Sequence, residues 1–312
     1  TDLDSAAVYS EAVINSGKFA LESNFANVFE QNNQKTSKEI IWDVEYTKDA
    51  LFSGAGSSGS DGGNQLHLYW VTQYDVKPGM TRDVVNGRPW KRMRPNPKII
   101  TSLWDRKVDS RVFKTFKWAF YCNNASTATK WAKEYYYINP LTNAEVKTDI
   151  IYTTPAELVG KPKFKAGDTA IYISSKYYGA LSDYSTTNPK QTVINEANYR
   201  KMLIDIAKAP YLYIPADKYD TNNFPNMLKW MDDQRQDMNY QAGSRNFHRM
   251  RLAETYLIAA EAYGRKGDFV NAVKYINVVR TRAAYAEGET KPTQLYRVEG
   301  GVPNTTSTVS AM

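Results

Sequence analysis

Apolar side chains return every three or four positions between residues 249 and 287. Leu252, Tyr256, Ala259, Ala260 and Tyr263 fall on one face of a helical spiral, and Phe269, Ala272, Val273, Ile276 and Val279 form a second such face. Gly267 lies between them, able to take the positive φ at which a helix ends, and Asp268 stands where a side chain caps the next first turn. The spacing predicts two antiparallel helices joined by a tight turn. Counted from Ala253 it fits a tetratricopeptide (TPR) unit of about 34 residues, with Leu257 and Ala260 at the close helix crossing. One such unit cannot bury both of its faces.

The same period predicts an N-terminal helix capped by Asp4 or Ser5, with Ala7, Val8, Ala12 and Val13 turned inward and a stop at Asn15, Ser16 and Gly17. The period then changes to two. In EIIWDVEY, Ile40, Trp42, Val44 and Tyr46 alternate with Glu39, Ile41, Asp43 and Glu45, which predicts a half-buried strand with the first set inside. Residues 112–124 read as a strand and its turn, and GDTAIYISS as a strand entered through Gly167 and Asp168. The rest of 125–190 is weakly patterned, with a loop carrying Trp131, Tyr135, Tyr136 and Tyr137 and a polar insertion over 177–189.

Residues 53–65, rich in Gly and Ser, contain Gly54, Gly56 and Gly59 in a literal GxGxxG. A dinucleotide cradle needs a helix opening on the last glycine; Ser60, Asp61, Gly62, Gly63 and Asn64 do not start one, so the stretch reads as a flexible loop. Residues 66–94 have no clear period but are dense in rings and arginines. Two readings stand: the rings pack onto the fold, or they form a recognition surface on which a sugar or peptide stacks while polar groups bond its hydroxyls or carbonyls. On the second reading the candidate ligand-binding residues are Tyr69, Trp70, Tyr74, Trp90 and Arg92.

Composition narrows the chemistry. The 312 residues, 42% of them hydrophobic, are enough for a sizeable core, and 23 tyrosines suit half-wet surfaces. The net charge of +7 is spread among 33 acidic residues with no basic run longer than a pair, which argues against a nucleic-acid surface. A single cysteine, Cys122, excludes an internal disulfide framework and reads as an inert thiol. His67 and His248 fit no paired-ligand spacing, and neither GxSxG nor a Walker loop occurs, so no catalytic residue, metal or cofactor is expected. An acid pair such as Asp105 with Glu134 stays open, since sequence does not give its separation in space, and DKYDTNN at 217–223 has oxygen ligands for calcium but misses the EF-hand spacing and its terminal Glu. No apolar run is long enough to span a membrane, and TDLDSAAVYSE is not a signal peptide.

RLAETYLIAAEA followed by INVVRTRA resembles the most recognisable segment of the SusD/RagB family of outer-membrane nutrient-binding lipoproteins. Pro97, Trp104, Asp109 and Arg111 match a second family passage, in which Asp109 and Arg111 read as a structural ion pair, and EIIW at 39–42 matches a third. The resemblance implies a mostly α, SusD-like fold: a TPR helical-hairpin scaffold decorated by irregular loops and short β-strands. It implies one domain over 1–312, with the end of an earlier TPR helix at 1–17, a ligand-facing part at 39–248, the hairpin at 249–287 and an irregular tail at 288–312. It also implies capture of a glycan or peptide nutrient at the cell surface, delivery to a SusC-like TonB-dependent transporter and a lipid anchor outside this chain. The family's later Arg-Trp-x-Asp-Leu pattern does not follow the hairpin, so a fragment at both ends is expected. The alternatives are a surface glycoside hydrolase or protease with a TPR decoration, or a pure TPR adaptor.

Overall fold

The computed structural model describes residues 1–49, 52, 62–106, 108–182, 193–286 and 289. Most of the glycine loop, of the polar insertion and of the tail therefore lies outside the described residues.

The chain is mostly α with short strands. Six helices are described: α1 (Asp2–Ile14), α2 (Leu66–Tyr69), α3 (Arg111–Thr115), α4 (Glu196–Lys208), α5 (Leu252–Arg265) and α6 (Phe269–Ala283). The hairpin α5–α6 forms as its period predicts. Gly267 closes the turn at φ 81°, and the Asp268 carboxylate accepts the Asn271 N–H at 3.1 Å. Ala259, Ala260 and Tyr275 make the seam, and α1 packs beside it through Ile14, Tyr256 and Tyr263.

The faces are not all the expected ones. On α6 the buried stripe is Tyr275, Val279 and Ala283, while Phe269, Val273 and Ile276 lie on the outside. The reason is that α5 and α1 both meet α6 along the tyrosine stripe: Tyr263 stacks on Tyr275 at 5.8 Å, and both hydroxyls donate to Glu11, at 2.8 and 2.5 Å. These two bonds hold the Glu11 carboxyl below its ordinary pKa. α1 correspondingly turns Ala7 and Ser10 inward and leaves Val8 and Ala12 exposed. Its cap is Thr1, in a reciprocal box with Asp4, because Asp4 already sits in the third helical position. Leu257 is 45% exposed, so it is not at the crossing. Leu257→Asp is expected to shift stability by no more than about 0.5 kcal/mol, whereas Ala260→Trp, overpacking the seam, costs about 1–3 kcal/mol. Paired urea melts compare the two, and equal midpoints would refute this assignment of the seam.

The strand over Ile40–Val44 (β1) exists, but its phase is reversed. Trp42 is 60% exposed and Val44 also faces out, whereas Glu39, just before the strand, is fully buried. β1 pairs antiparallel with β11 (Phe247–Arg251), which leads straight into α5. The burial of Glu39 decides the phase. Its carboxylate takes Arg251 at 2.9 Å and Arg282 of α6 at 2.7 Å, and the Glu22 N–H at 2.9 Å. One carboxylate thus ties the strand to the hairpin.

The remaining strands build the other half. Residues 112–124 are a helical turn followed by β2 (Phe116–Lys117) and β3 (Ala119–Tyr121) rather than one strand. The stretch read as a loop around Tyr135 to Tyr137 is a hairpin, β4 (Glu134–Ile138) against β5 (Glu145–Thr153). Alternation between a wet and a packed face was hidden there by tyrosine, which suits both. β6 (Thr169–Ile173), entered at Gly167 with φ 83°, lies between β3 and β9 (Leu212–Ile214), antiparallel to the first and parallel to the second. Two short ladders complete the set: β10 (Asn226–Met227) on β2, and β7 (Leu181–Ser182) against β8 (Val193–Ile194). The central strand β6 is buried on both faces, with Ile171 and Ile173 in one cluster and Tyr172 in another.

A buried histidine makes this half sensitive to acid. His67 of α2 lies against the Gln241 carbonyl at 2.8 Å, and burial, followed by the charge of Arg235, pushes its pKa down to about 4. The unfolded chain, with the ordinary value near 6.5, binds this proton first. Stability contributed by neutral His67 is therefore present above pH 6.5 and lost as pH falls toward 4, on the order of 3 kcal/mol in all. His67→Gln is expected to flatten the melting-temperature profile between those values, and an unchanged slope would contradict this role.

Candidate functional site

The segment after α2 is held by main-chain bonds and by a core side chain beneath it. The N–H of Trp90 donates to the Leu68 carbonyl at 3.2 Å, and that of Met93 to the Tyr69 carbonyl at 2.9 Å. Gly87 turns at φ 84°, where an added Cβ would come within 3.0 Å of Val71, so the chain passes close over the core. The Tyr74 hydroxyl donates to the Gly87 carbonyl at 2.8 Å and accepts the Asp83 N–H at 3.1 Å.

These contacts divide the candidate residues. Tyr69 and Trp90, half-buried, stack with centroids 5.9 Å apart and planes at 27°. Arg92, exposed, sets its guanidinium 5.6 Å from the Trp90 ring, and Arg88 lies 6.0 Å from it. Trp70, at the C-terminal end of α2, is half-buried beside Tyr69 in sequence. Tyr74 is different. It is fully buried, stacked on Phe120 at 5.3 Å, and burial raises its phenol pKa far above the ordinary value. Its ring has no face left for a ligand; it supports the site from below.

Sequence reasoning missed Lys91, Gln73 and Asn222. Lys91 has φ 55° and donates to Gln73 Oε1 at 2.8 Å and Asn222 Oδ1 at 2.6 Å. No local signal marks a lysine for positive φ, because the conformation is imposed by partners far away in sequence. The arrangement is an aromatic pair on a firm base with the Arg92 guanidinium over the Trp90 ring, and the residue between them in sequence, Lys91, has its ammonium fixed on Gln73 and Asn222. It can stack a flat, weakly polar ring and hydrogen-bond its substituents.

A second cleft, of about 160 Å³, lies over β4, β9 and α4 and is lined by Tyr135, Tyr136, Tyr211, Tyr213 and Lys163. Lys163 sits 4.4 Å over Trp131 and donates to the Ala209 carbonyl at 3.2 Å, and burial pushes its pKa down to about 8. Trp131 is buried beneath it.

The other sequence candidates have structural uses. Asp109 and Arg111 pair at 2.6 Å, as expected. Cys122 is buried in the core. In 217–223, Asp217 accepts the N–H groups of Tyr178 and Ala180, and Asp220 those of Asn222 and Asn223. Glu134 accepts the Tyr136 hydroxyl at 2.8 Å. Among the described residues no cluster of three potential metal ligands occurs, and no helix is long and apolar enough to cross a membrane.

A helical hairpin carrying short ladders and a stacked aromatic pair makes a mostly α protein. The sequence model of the SusD family matches residues 27–309, and the chain belongs to that family. Among solved structures, the chain is similar to surface glycan-binding protein A from Bacteroides uniformis, at 15% identity and TM-score 0.43, over 90% of this chain and 37% of that one. It is also similar to the surface glycan-binding protein A from Bacteroides thetaiotaomicron in complex with laminarihexaose, at 16% identity and TM-score 0.42, over 96% and 47%. A third is B. fragilis NanU, at 13% identity and TM-score 0.42, over 97% and 41%. The chain spans less than half the length of each of these structures. No curated protein matches it.

Proposed function

We propose that this chain is the ligand-contacting part of a cell-surface glycan-binding protein that captures a polysaccharide and passes it, uncut, to a SusC-like TonB-dependent transporter. On this reading it works at the extracellular face of the outer membrane, held by a lipid anchor outside this chain. Family membership supports the setting, and the solved relatives named for glycan binding support the ligand class. The observation that carries the reading is the Tyr69–Trp90 pair, two rings stacked at the surface over a base built from the core. A hydrophobic core would bury both rings. Here they stay half-open.

Stacking one sugar face on an open ring is worth about 1–2 kcal/mol, so losing the ring weakens binding about tenfold. Trp90→Ala is expected to do this in calorimetric titrations across a panel of glycans and peptides, with a cooperative melt retained. Binding that persists unchanged in the folded variant would move the site to the tyrosine-lined cleft around Tyr135 and Tyr136. Chromatography of the glycans after incubation separates capture from hydrolysis, since shortened products would favour the enzyme reading.

A further inference from the structure

Between Asp83 and Asp105 the chain carries Arg88, Lys91, Arg92, Arg94 and Lys98 and no acidic residue. The middle of this stretch is the aromatic platform. Elsewhere several arginines pair with carboxylates, as Arg82 does with Asp75 at 2.7 Å and Arg111 with Asp109 at 2.6 Å. At Lys91 the partners are neutral. The Lys91 ammonium rests between two side-chain amide oxygens, of Gln73 and Asn222, which orient it without cancelling its charge. An ammonium has three donors, and those two bonds leave the third open among the described residues. Arg92 is exposed with its guanidinium over the Trp90 ring, 5.6 Å from its centroid, and neither Lys91, Arg92 nor Arg94 has an acidic partner among the described residues.

Lys91 also holds a positive φ that a side chain with a Cβ rarely adopts. Such a conformation persists only where the surroundings over-determine it, and these do, from Gln73 on one side and Asn222 on the other. The effect is to fix one ammonium on two amide oxygens at the residue between Trp90 and Arg92 in sequence, with the Arg92 guanidinium exposed beside the Trp90 ring. A neutral sugar would need neither charge. A sugar bearing a carboxylate or sulfate would place its ring on Trp90, its anion against the third Lys91 donor and a bidentate pair on Arg92.

We propose that the platform is selective for acidic glycans, those carrying carboxylate or sulfate groups. This rests on the reading of Tyr69–Trp90 as the glycan platform. Calorimetry with an oligogalacturonate and its methyl ester varies the carboxylate on one backbone, and a sulfated galactan with its desulfated form varies the sulfate. The acidic form of at least one pair is expected to bind about tenfold more tightly than its neutral form at low salt, and to lose that advantage as salt rises. Arg92→Gln should remove most of the difference, whereas Lys201→Gln, on the exposed side of α4, should leave it intact. Lys91→Gln is a further probe, and Arg92→Gln keeps the test valid should that loop rearrange.

Equal affinity for acidic and neutral forms would overturn the inference while sparing the platform, provided that Trp90→Ala still weakens both. Equal losses in Arg92→Gln and Lys201→Gln would also overturn it, since net charge alone would then attract the ligand. No binding of any of the four polymers by the folded chain would overturn the platform reading and this one together.

Discussion

Glu39→Ala is expected to lower stability by about 3–5 kcal/mol, enough to leave a marginal domain largely unfolded. The side chain is fully buried and receives three partners at once: Arg251, Arg282 and the Glu22 N–H. Removing it leaves the Arg251 and Arg282 guanidinium groups without their carboxylate, and the Arg282 side chain is only 6% exposed. The large effect comes from that uncompensated charge and is not a measure of what the ion pairs contribute. Replacing Glu39, Arg251 and Arg282 together by leucine or methionine is therefore expected to recover much of the loss. Urea unfolding followed by circular dichroism measures both variants. A Glu39→Ala midpoint equal to the parent's would show that water reaches the cluster and that β1 is not anchored through it.

Tyr74→Ala is expected to lower stability by about 3–5 kcal/mol, as large-to-small changes of core aromatics do. The ring stacks on Phe120 inside a cluster with Met80, Ile171 and Ile173, so its removal leaves a void that the three-stranded sheet cannot close. Tyr74→Phe keeps the ring and loses only the hydroxyl bonds to Gly87 and Asp83, and about 1 kcal/mol is expected for it. The pair separates two roles. If Tyr74→Ala melts like the parent but binds glycan poorly, the ring meets ligand, and its placement under the platform is wrong.

Local chemistry made the helical hairpin legible. The two helices, Gly267 at the turn and Asp268 at the cap are each satisfied within a few residues and are found as read, although the face that α6 buries is not the one expected. The ion pair Asp109–Arg111 was legible for the same reason, since two intervening bonds of chain bring its partners together. The strand at 40–44 was half legible. Alternation fixes which residues share a face but is silent about which face is buried, and the partners that decided it, Arg251 and Arg282, lie more than two hundred positions away. The candidate site followed the same rule. Density of rings marked residues 66–94, yet a tyrosine in a core and a tyrosine on a platform are the same letter.

The sequence by itself determined the hairpin, its turn and the membership of a family, because each depends on residues near one another or on letters that can be compared directly. Only the tertiary structure decided that Trp42 faces water while Glu39 is buried, that the stripe of α6 holding Tyr275 and not Phe269, Val273 and Ile276 meets α1, and that Tyr74 is buried in the core with its hydroxyl on the Gly87 carbonyl. Those outcomes depend on contacts between segments distant in the chain, where buried charges and hydroxyls must each find a partner and the side with partners becomes the inside.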